Sequence, residues 1–174
     1  MSMLAPTSPS TIEYTCFHLF CGCGSGAKGW RRGTARLGNL KATWRNIGGV
    51  DSNPAAIADF ERFAGVKGTV LDLFERHQYT AFHGKEPPRD WRQATPLDIR
   101  MAAGGEYPTA IFLSAPCQGF SGLLAESKSK TAKYEALNEL TIRGMWLALE
   151  AFKDHPPAFI LFENVPRIST RGRW

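Results

Sequence analysis

A cysteine with the surroundings of a nucleophile follows a proline at the exit of an apolar run. Residues 114–122 read SAPCQGFSG, directly after the apolar run 110–113, so the thiol of Cys117 leaves a buried strand within a stiff turn. Cysteines that serve only packing are usually buried inside an element. The position of Cys117 therefore favours a reactive thiol.

A carboxyl group stands at the end of the last apolar run in the same way. Glu163 and Asn164 follow run 158–162, and we expect the carboxyl of Glu163 in an apolar setting that lets it hold or share a proton. A thiol and such a carboxyl suit addition to an electron-poor ring such as cytosine. The thiolate adds to carbon 6, the carboxyl bonds ring nitrogen 3, and carbon 5 becomes nucleophilic.

Three further motifs at strand ends favour a nucleoside-containing cofactor. Residues 22–27 satisfy G-x-G-x-x-A after a strand, although a tight turn without a ligand is a fair alternative. Asp51 can hold the hydroxyls of a ribose or cap a helix that begins near Pro54. Asp72 can accept a hydrogen bond from the amine of adenine or cap a helix. These motifs alone do not separate NAD from S-adenosylmethionine.

The apolar runs predict the elements that position these groups. Five runs, at 16–20, 47–50, 68–71, 110–113 and 158–162, alternate with helical patterns, among them 54–63 and 131–152. Runs that are apolar throughout predict strands buried on both faces, and hence a doubly wound α/β domain with a mostly parallel sheet. Residues 95–104 predict a short helix capped by Thr95, and the rest of 77–108 is expected to be a mobile loop. We expect a flexible tail over 1–13 and one domain over 14–174.

Charge and cysteine content restrict the partners and the compartment. Six basic residues and no acidic one occur between positions 28 and 45, which favours a polyanionic partner, although a solvated basic surface is the alternative. The four cysteines form no dense disulfide framework, and their spacing with the four histidines predicts no metal site. Without a secretory signal or a long apolar stretch, the sequence predicts a cytoplasmic protein with no membrane partner.

Five elements of the sequence occur in the order FCGCGSG, Asp51, Asp72-Leu73, APCQGFSG and FENV. Together they resemble the leading motifs of the DNA cytosine-5 methyltransferases. The resemblance extends from about Thr15 to Ile168. The resemblance implies a Rossmann-like fold, S-adenosylmethionine as the methyl donor, and double-stranded DNA as the substrate, as in restriction-modification. It implies Cys117 as the nucleophile, Glu163 at cytosine nitrogen 3 and Asn164 as a brace. The implied cofactor residues are Phe20, Gly22, Cys23, Gly24, Ser25, Asp51, Ser52, Asp72, Leu73 and Pro116. The implied substrate loop comprises Gln118, Gly119, Phe120 and Ser121.

The resemblance covers the N-terminal, cofactor-binding and catalytic portion of such enzymes. No residues here resemble their later arginine motif, their target-recognition domain or their C-terminal helix, so the fold is expected to be incomplete and the chain alone weakly active or inactive. A missing segment or a second polypeptide would then supply target recognition. The alternatives are an NAD-dependent oxidoreductase, a non-catalytic or split-enzyme subunit, and an RNA cytosine-5 methyltransferase.

Overall fold

The computed structural model describes residues 10–116 and 132–164. Within them the strands are β1 (Ser10–Leu19), β2 (Thr34–Leu37), β3 (Leu40–Asp51), β4 (Gly68–Val70), β5 (Ala110–Leu113) and β6 (Phe159–Phe162). The helices are α1 (Ser25–Arg32), α2 (Pro54–Ala64), α3 (Arg76–His83), α4 (Pro96–Ala102) and α5 (Ala132–Ala151). All five apolar runs of the sequence therefore contain strands.

The strands form one sheet in which β1 is central. β1 pairs in parallel with β3 on one side and β5 on the other, β4 extends the sheet beyond β3, and β6 extends it beyond β5. Only β2 is antiparallel among these strands. The predicted α/β architecture with a mostly parallel sheet is thus confirmed. The strand order reverses between β1 and β5, and ligands of such sheets bind at this point, beyond the carboxyl ends of the strands.

A buried polar pair joins the two strands at the centre of the sheet to the helices above them. Nε2 of His18 lies 2.8 Å from Oδ1 of Asn46, and His18 is 1% exposed. The amide nitrogen of Asn46 donates to the carbonyls of Ala27 and Ala64, at 2.9 and 3.1 Å. Since both Asn46 donors are engaged, Oδ1 must accept from Nε2–H of a neutral His18. Burial lowers the pKa of His18 to about 4.

Local sequence explains where two of the helices begin. The side chain of Asn53 accepts from the backbone amides of Ala55 and Ala56 at the start of α2, where Pro54 has no N–H that would need an acceptor. Thr95 and Asp98 form a reciprocal capping box at the start of α4. The predicted helix near Pro54 and the predicted Thr95 cap are both confirmed.

The structure corrects the sequence predictions at three places. β1 begins at Ser10 because its first residues pair with the start of β3, so the tail boundary at 13 lies inside a strand, and residues 1–9 lie outside the described residues. The basic segment before β3 contains β2, which turns back through Gly38 at a φ of 57°. The segment 77–108, expected to be mostly loop, contains the end of α3.

The last strand differs from the prediction that all runs are buried on both faces. Phe159 and Leu161 of β6 are 45% and 47% exposed, and both lie on the same face of the strand. Within residues 10–116 and 132–164, β6 pairs only with β5. Its position at the edge of the sheet explains this exposure. Among the same residues, no helix combines the length and apolar character that a membrane span requires.

Candidate active site at the carboxyl edge of the sheet

The glycine loop after β1 is tied to the end of β3 by a carboxylate. The backbone N–H of Gly22 donates to Oδ2 of Asp51 at 2.9 Å, and the N–H of Asn53 donates to Oδ1 at 2.9 Å. The N–H of Cys21 donates to the carbonyl of Val50 at 3.0 Å. Asp51 therefore does not cap α2, because Asn53 does. Its carboxylate fixes the loop and retains acceptor capacity on both oxygens.

Two glycines of this loop have different neighbours. Gly22 has a φ of 50°, and a Cβ built on it would meet nothing within 4 Å. Gly24 has a φ of 85°, and its Cβ would lie 2.8 Å from Cα of Phe60. Gly24 is thus required by the packing of the loop on α2, whereas the space beside Gly22 is open. An open, glycine-walled position next to Asp51 fits the nucleoside and amino-acid ends of S-adenosylmethionine.

Phe20 connects this loop to α5. It is the one non-glycine residue with positive φ, 54°, among the described residues. Its ring covers Gly144, where an added Cβ would lie 2.7 Å from Cε2 and Cζ. Non-glycine residues in this region cost about 1–3 kcal/mol and are concentrated at functional sites. Packing against α5 holds the strained residue in place.

The carboxylate of Asp72 lies beyond the end of β4, next to Asp51 in the sheet. Its Oδ1 accepts from the N–H of Phe74 at 2.9 Å, and its Oδ2 accepts from Nε1–H of Trp91 at 3.0 Å. The N-cap of α3 is Glu75, so Asp72 is not a helix cap. Leu73, expected to contact the cofactor, is 3% exposed and packs in the core.

The ends of β5 and β6 are joined at the same edge. Oγ of Ser114 donates to Oε2 of Glu163 at 2.7 Å, and the N–H of Glu163 donates to the carbonyl of Leu113 at 2.9 Å. The N–H of Ser114 donates to the carbonyl of Leu19 at 3.2 Å, which connects this pair to β1. Glu163 is exposed, so the expected apolar setting is wrong. The edge position of β6 leaves the carboxylate open to solvent.

The remaining predicted residues lie at this edge or outside the described residues. Cys23 and Ser52 are exposed on the loops after β1 and β3, and Ser25 is exposed at the start of α1. Pro116 and Asn164 are half-buried beyond β5 and β6. The predicted nucleophile and the predicted substrate loop lie outside the described residues; these are Cys117, Gln118, Gly119, Phe120 and Ser121. Pro116 directly precedes Cys117, so the chain leaves β5 toward the edge that carries the other predicted groups.

The thiols of the described residues differ in their surroundings. Burial raises the pKa of Cys16, which is fully buried, to about 12. Burial, with the negative charge of Asp51 nearby, raises the pKa of the half-buried Cys21 to about 12. Cys23 is exposed. Within residues 10–116 and 132–164, no three histidine, cysteine or acidic side chains cluster as metal ligands.

Part of the basic segment, residues 28–45, lies far from this edge. Arg36 and Lys41 are opposite each other in the β2–β3 hairpin, at the amino end of β3. That end lies ten residues before Asp51, which corresponds to about 30 Å of strand. Arg45 is paired with Glu13 and bidentately with Glu106. The hairpin charges are therefore remote from the carboxyl edge.

Three residues that support this edge were missed by the sequence analysis. Ser114 precedes the predicted loop and was not selected, although a serine at a strand end is a donor for a carboxylate. Gly144 has a signal, since a glycine within an apolar helix stripe indicates close packing. Trp91 has no local signal, because its contact with Asp72 spans 19 residues.

The fold is similar to that of solved methyltransferases. The methyltransferase EhMeth of Entamoeba histolytica matches 91% of this chain and 40% of its own chain, with a TM-score of 0.50 and 15% identity. The Dnmt2 methyltransferase of S. pombe matches 89% of this chain and 35% of its own, with a TM-score of 0.46 and 15% identity. The chain thus spans less than half the length of either protein. No protein-family model and no curated protein matches it. The predicted Rossmann-like methyltransferase fold is confirmed.

Proposed function

We propose that this chain is the cofactor-binding and catalytic portion of an S-adenosylmethionine-dependent cytosine-5 methyltransferase that acts on DNA. The observation that carries the proposal is the convergence of the strand ends. The Gly22 loop with Asp51, the Asp72 carboxylate, and the Ser114–Glu163 pair all lie at the carboxyl edge of one parallel sheet. The described chain leaves β5 at that edge, and the predicted nucleophile Cys117 follows the last residue of β5 by four positions in the sequence.

Each of the proposed cofactor residues contacts one part of S-adenosylmethionine. The open space beside Gly22 holds the amino-acid end of the ligand, Asp51 faces the ribose hydroxyls, and Asp72 accepts from the adenine amine. When bound, S-adenosylmethionine supplies an electrophilic methyl group. The strained backbone of Phe20, held on Gly144, fixes the turn between β1 and the loop. These residues position the donor and take no covalent part.

The remaining residues act on the base. The thiolate of Cys117 forms a bond to carbon 6 of cytosine, and the electron pair of the ring double bond moves to carbon 5. Glu163, as the protonated acid, donates to ring nitrogen 3 and stabilises the charge of the adduct. When carbon 5 takes the methyl group, the methyl–sulfur bond of the donor would break; a base then removes the carbon-5 proton, and the thiolate of Cys117 leaves as the 5,6 double bond forms again. Because a thiol does not reach carbon 6 in a stacked duplex, the base must be flipped out.

The choice of DNA over RNA rests on the resemblance of the Pro-Cys-Gln and Glu-Asn-Val elements to DNA enzymes. Unstacking a base costs a few kcal/mol, which recognition contacts and phosphate contacts normally offset. The basic hairpin residues Arg36 and Lys41 lie about 30 Å along β3 from the proposed site. These two residues are therefore placed to contact DNA phosphates that are distant from the flipped base.

Thermal denaturation of the chain with different cofactors tests the first part of the proposal. A ligand of the folded state at 100 times its Kd stabilises by about 2.7 kcal/mol. S-adenosylhomocysteine should raise the Tm by several degrees, whereas NAD should not. Stabilisation by NAD alone would favour the oxidoreductase, and no response to either would contradict the proposed cofactor site.

Covalent trapping on 5-fluorocytosine tests the catalytic part. The assay uses the longest natural polypeptide that contains these residues, with S-adenosylmethionine and either duplex DNA or RNA of the same sequence. A DNA adduct that disappears in Cys117→Ala supports the proposal. An adduct that forms only on RNA would indicate that the same chemistry acts on an RNA substrate. An adduct that persists in Cys117→Ala would remove the nucleophile role from this residue.

A further inference from the structure

The indole of Trp91 completes the hydrogen bonds to the side-chain carboxylate of Asp72, a residue predicted to bind the cofactor. Oδ2 of Asp72 accepts from Nε1–H of Trp91 at 3.0 Å, and Oδ1 accepts from the N–H of Phe74 at 2.9 Å. Each oxygen thus has one fixed donor and one further acceptor position. With both oxygens bonded, the carboxylate plane cannot rotate without the loss of a hydrogen bond.

The indole is itself held by α3 and by its own loop. Its ring centroid lies 5.3 Å from that of Tyr79, and the guanidinium of Arg76 lies over the ring at 5.7 Å. The backbone N–H of Trp91 donates to the carbonyl of Pro88 at 3.1 Å, and its side chain packs partly buried against the core. Trp91 therefore approaches Asp72 from a fixed direction.

The chemistry of indole makes this contact selective. A carboxylate oxygen accepts with or without Trp91; the Nε1–H donor adds direction, because it fixes where the remaining acceptor position of Oδ2 points. A carboxylate whose remaining positions only accept will bind an exocyclic amine and reject a carbonyl oxygen. Asp72 lies two residues beyond Val70, the β4 partner of Asp51, so it is on the neighbouring strand to the proposed ribose contact.

We propose that Trp91 is a positioning residue that, through Asp72, makes the cofactor site selective for a 6-amino purine over a 6-oxo purine. This inference rests on the proposed function, because it assumes that a nucleoside lies beside Asp72. It assigns a role in recognition to the segment between α3 and α4. A purely structural role of Trp91, as a fastening of that segment, predicts a different result.

The test compares two ligands that differ at one position of the base. S-adenosylhomocysteine carries the 6-amine, and S-inosylhomocysteine carries an oxygen there. Calorimetric titration of the chain should give a Kd at least about tenfold lower for the adenosyl ligand, the effect of one charged hydrogen bond. In Trp91→Phe, which keeps a ring but removes the donor, that ratio should fall to about threefold or less.

Trp146→Phe is the matched control, because Trp146 is also a tryptophan beneath a guanidinium, that of Arg143 at 4.7 Å, and lies on α5. It should keep the wild-type ratio. If Trp91→Phe does not fold, Trp91→Leu decides the matter, since it also removes the donor, keeps an apolar side chain and should reduce the ratio in the same way.

Two results would overturn the inference while the proposed function stands. One is a wild-type protein that binds both ligands equally. The other is a Trp91→Phe or Trp91→Leu variant that keeps the wild-type ratio, whether or not both affinities fall together. A wild-type protein that binds neither ligand would instead contradict the proposed function, and the inference with it.

Discussion

Ser114 and Glu163 are joined by a 2.7 Å hydrogen bond that fixes the carboxylate at the end of β6 relative to the loop that leads to Cys117. The two residues are 49 positions apart, and the parallel pairing of β5 with β6 brings them together. Because Oε2 accepts from Ser114, Oε1 is left to carry a proton. In the proposed reaction protonated Oε1 donates to cytosine nitrogen 3, which has a lone pair and no proton.

Removal of the Ser114 hydroxyl should slow the proposed reaction and leave cofactor binding intact. In Ser114→Ala the carboxylate of Glu163 is free to rotate in solvent, so the alignment with the base is lost for part of the time. We expect kcat for methyl transfer to fall about tenfold, the effect of one hydrogen bond. The Kd for S-adenosylhomocysteine should stay within about twofold. Equal losses in both quantities would indicate that the bond serves only to hold the edge together.

The loop cysteines should react in an order set by their exposure and should report on the cofactor. Cys23 is exposed, whereas burial raises the pKa of both Cys21 and Cys16 to about 12. Because the thiolate is the reactive form, iodoacetamide at pH 7.5 should label Cys23 first and Cys16 last among these three cysteines. S-adenosylhomocysteine should slow the labelling of Cys23, measured by peptide mass spectrometry. Labelling of Cys23 that is unaffected by a saturating ligand would place the cofactor away from this loop.

The sequence predicted the parts of the fold that are determined locally. Apolar runs identified the parallel strands because the last residues of β1 and β3 and most of β5 are buried, and Pro54 identified a helix start because it fits the first helical turn. The β2–β3 hairpin was missed, although short alternating stretches on either side of Gly38-Asn39 are typical of a hairpin. The basic residues of the hairpin were interpreted as a charged surface, and the alternation of its side chains was not used.

The features that the sequence analysis missed depend on how distant segments of the chain pair and pack. Ser114 meets Glu163 only because β5 and β6 pair in one register, and no local pattern contains that register. The exposure of Glu163 follows from the position of β6 at a sheet edge, whereas its apolar neighbours in sequence predicted burial. Likewise, Trp91 returns to Asp72 across a loop whose path is fixed by packing against α3.

The buried His18 should make the protein less stable in mild acid. The unfolded chain takes up a proton near the ordinary pKa of 6.5, while burial keeps the folded state neutral down to about 4. Stability is therefore lost as the pH falls from about 6.5 to about 4, and the loss levels off below that. Between pH 7 and pH 5 this group should remove about 2 kcal/mol from the free energy of unfolding, measured by urea denaturation.

His18→Gln tests the assignment of this loss. Glutamine can donate to Oδ1 of Asn46 but does not titrate, so the variant should lose about 2 kcal/mol less between pH 7 and pH 5. His155→Gln, at an exposed position, should retain the wild-type pH dependence. An unchanged dependence in His18→Gln would assign the loss to other groups. Asp98 does not interfere, since its pKa is lowered by Arg92 and its contribution is lost at a lower pH.

Gly22 and Gly38 provide a matched pair that separates backbone strain from ligand contact. Their φ angles are 50° and 57°, and a Cβ on either would meet nothing within 4 Å. Alanine at either position should therefore cost a similar free energy of unfolding, about 1–2 kcal/mol for the left-handed conformation. The methyl group of Gly22→Ala, however, projects into the space assigned to the cofactor. Its Kd for S-adenosylhomocysteine should rise at least about tenfold by calorimetry, while Gly38→Ala keeps the wild-type value. If the two variants bind equally well, the open space beside Gly22 is not the cofactor site.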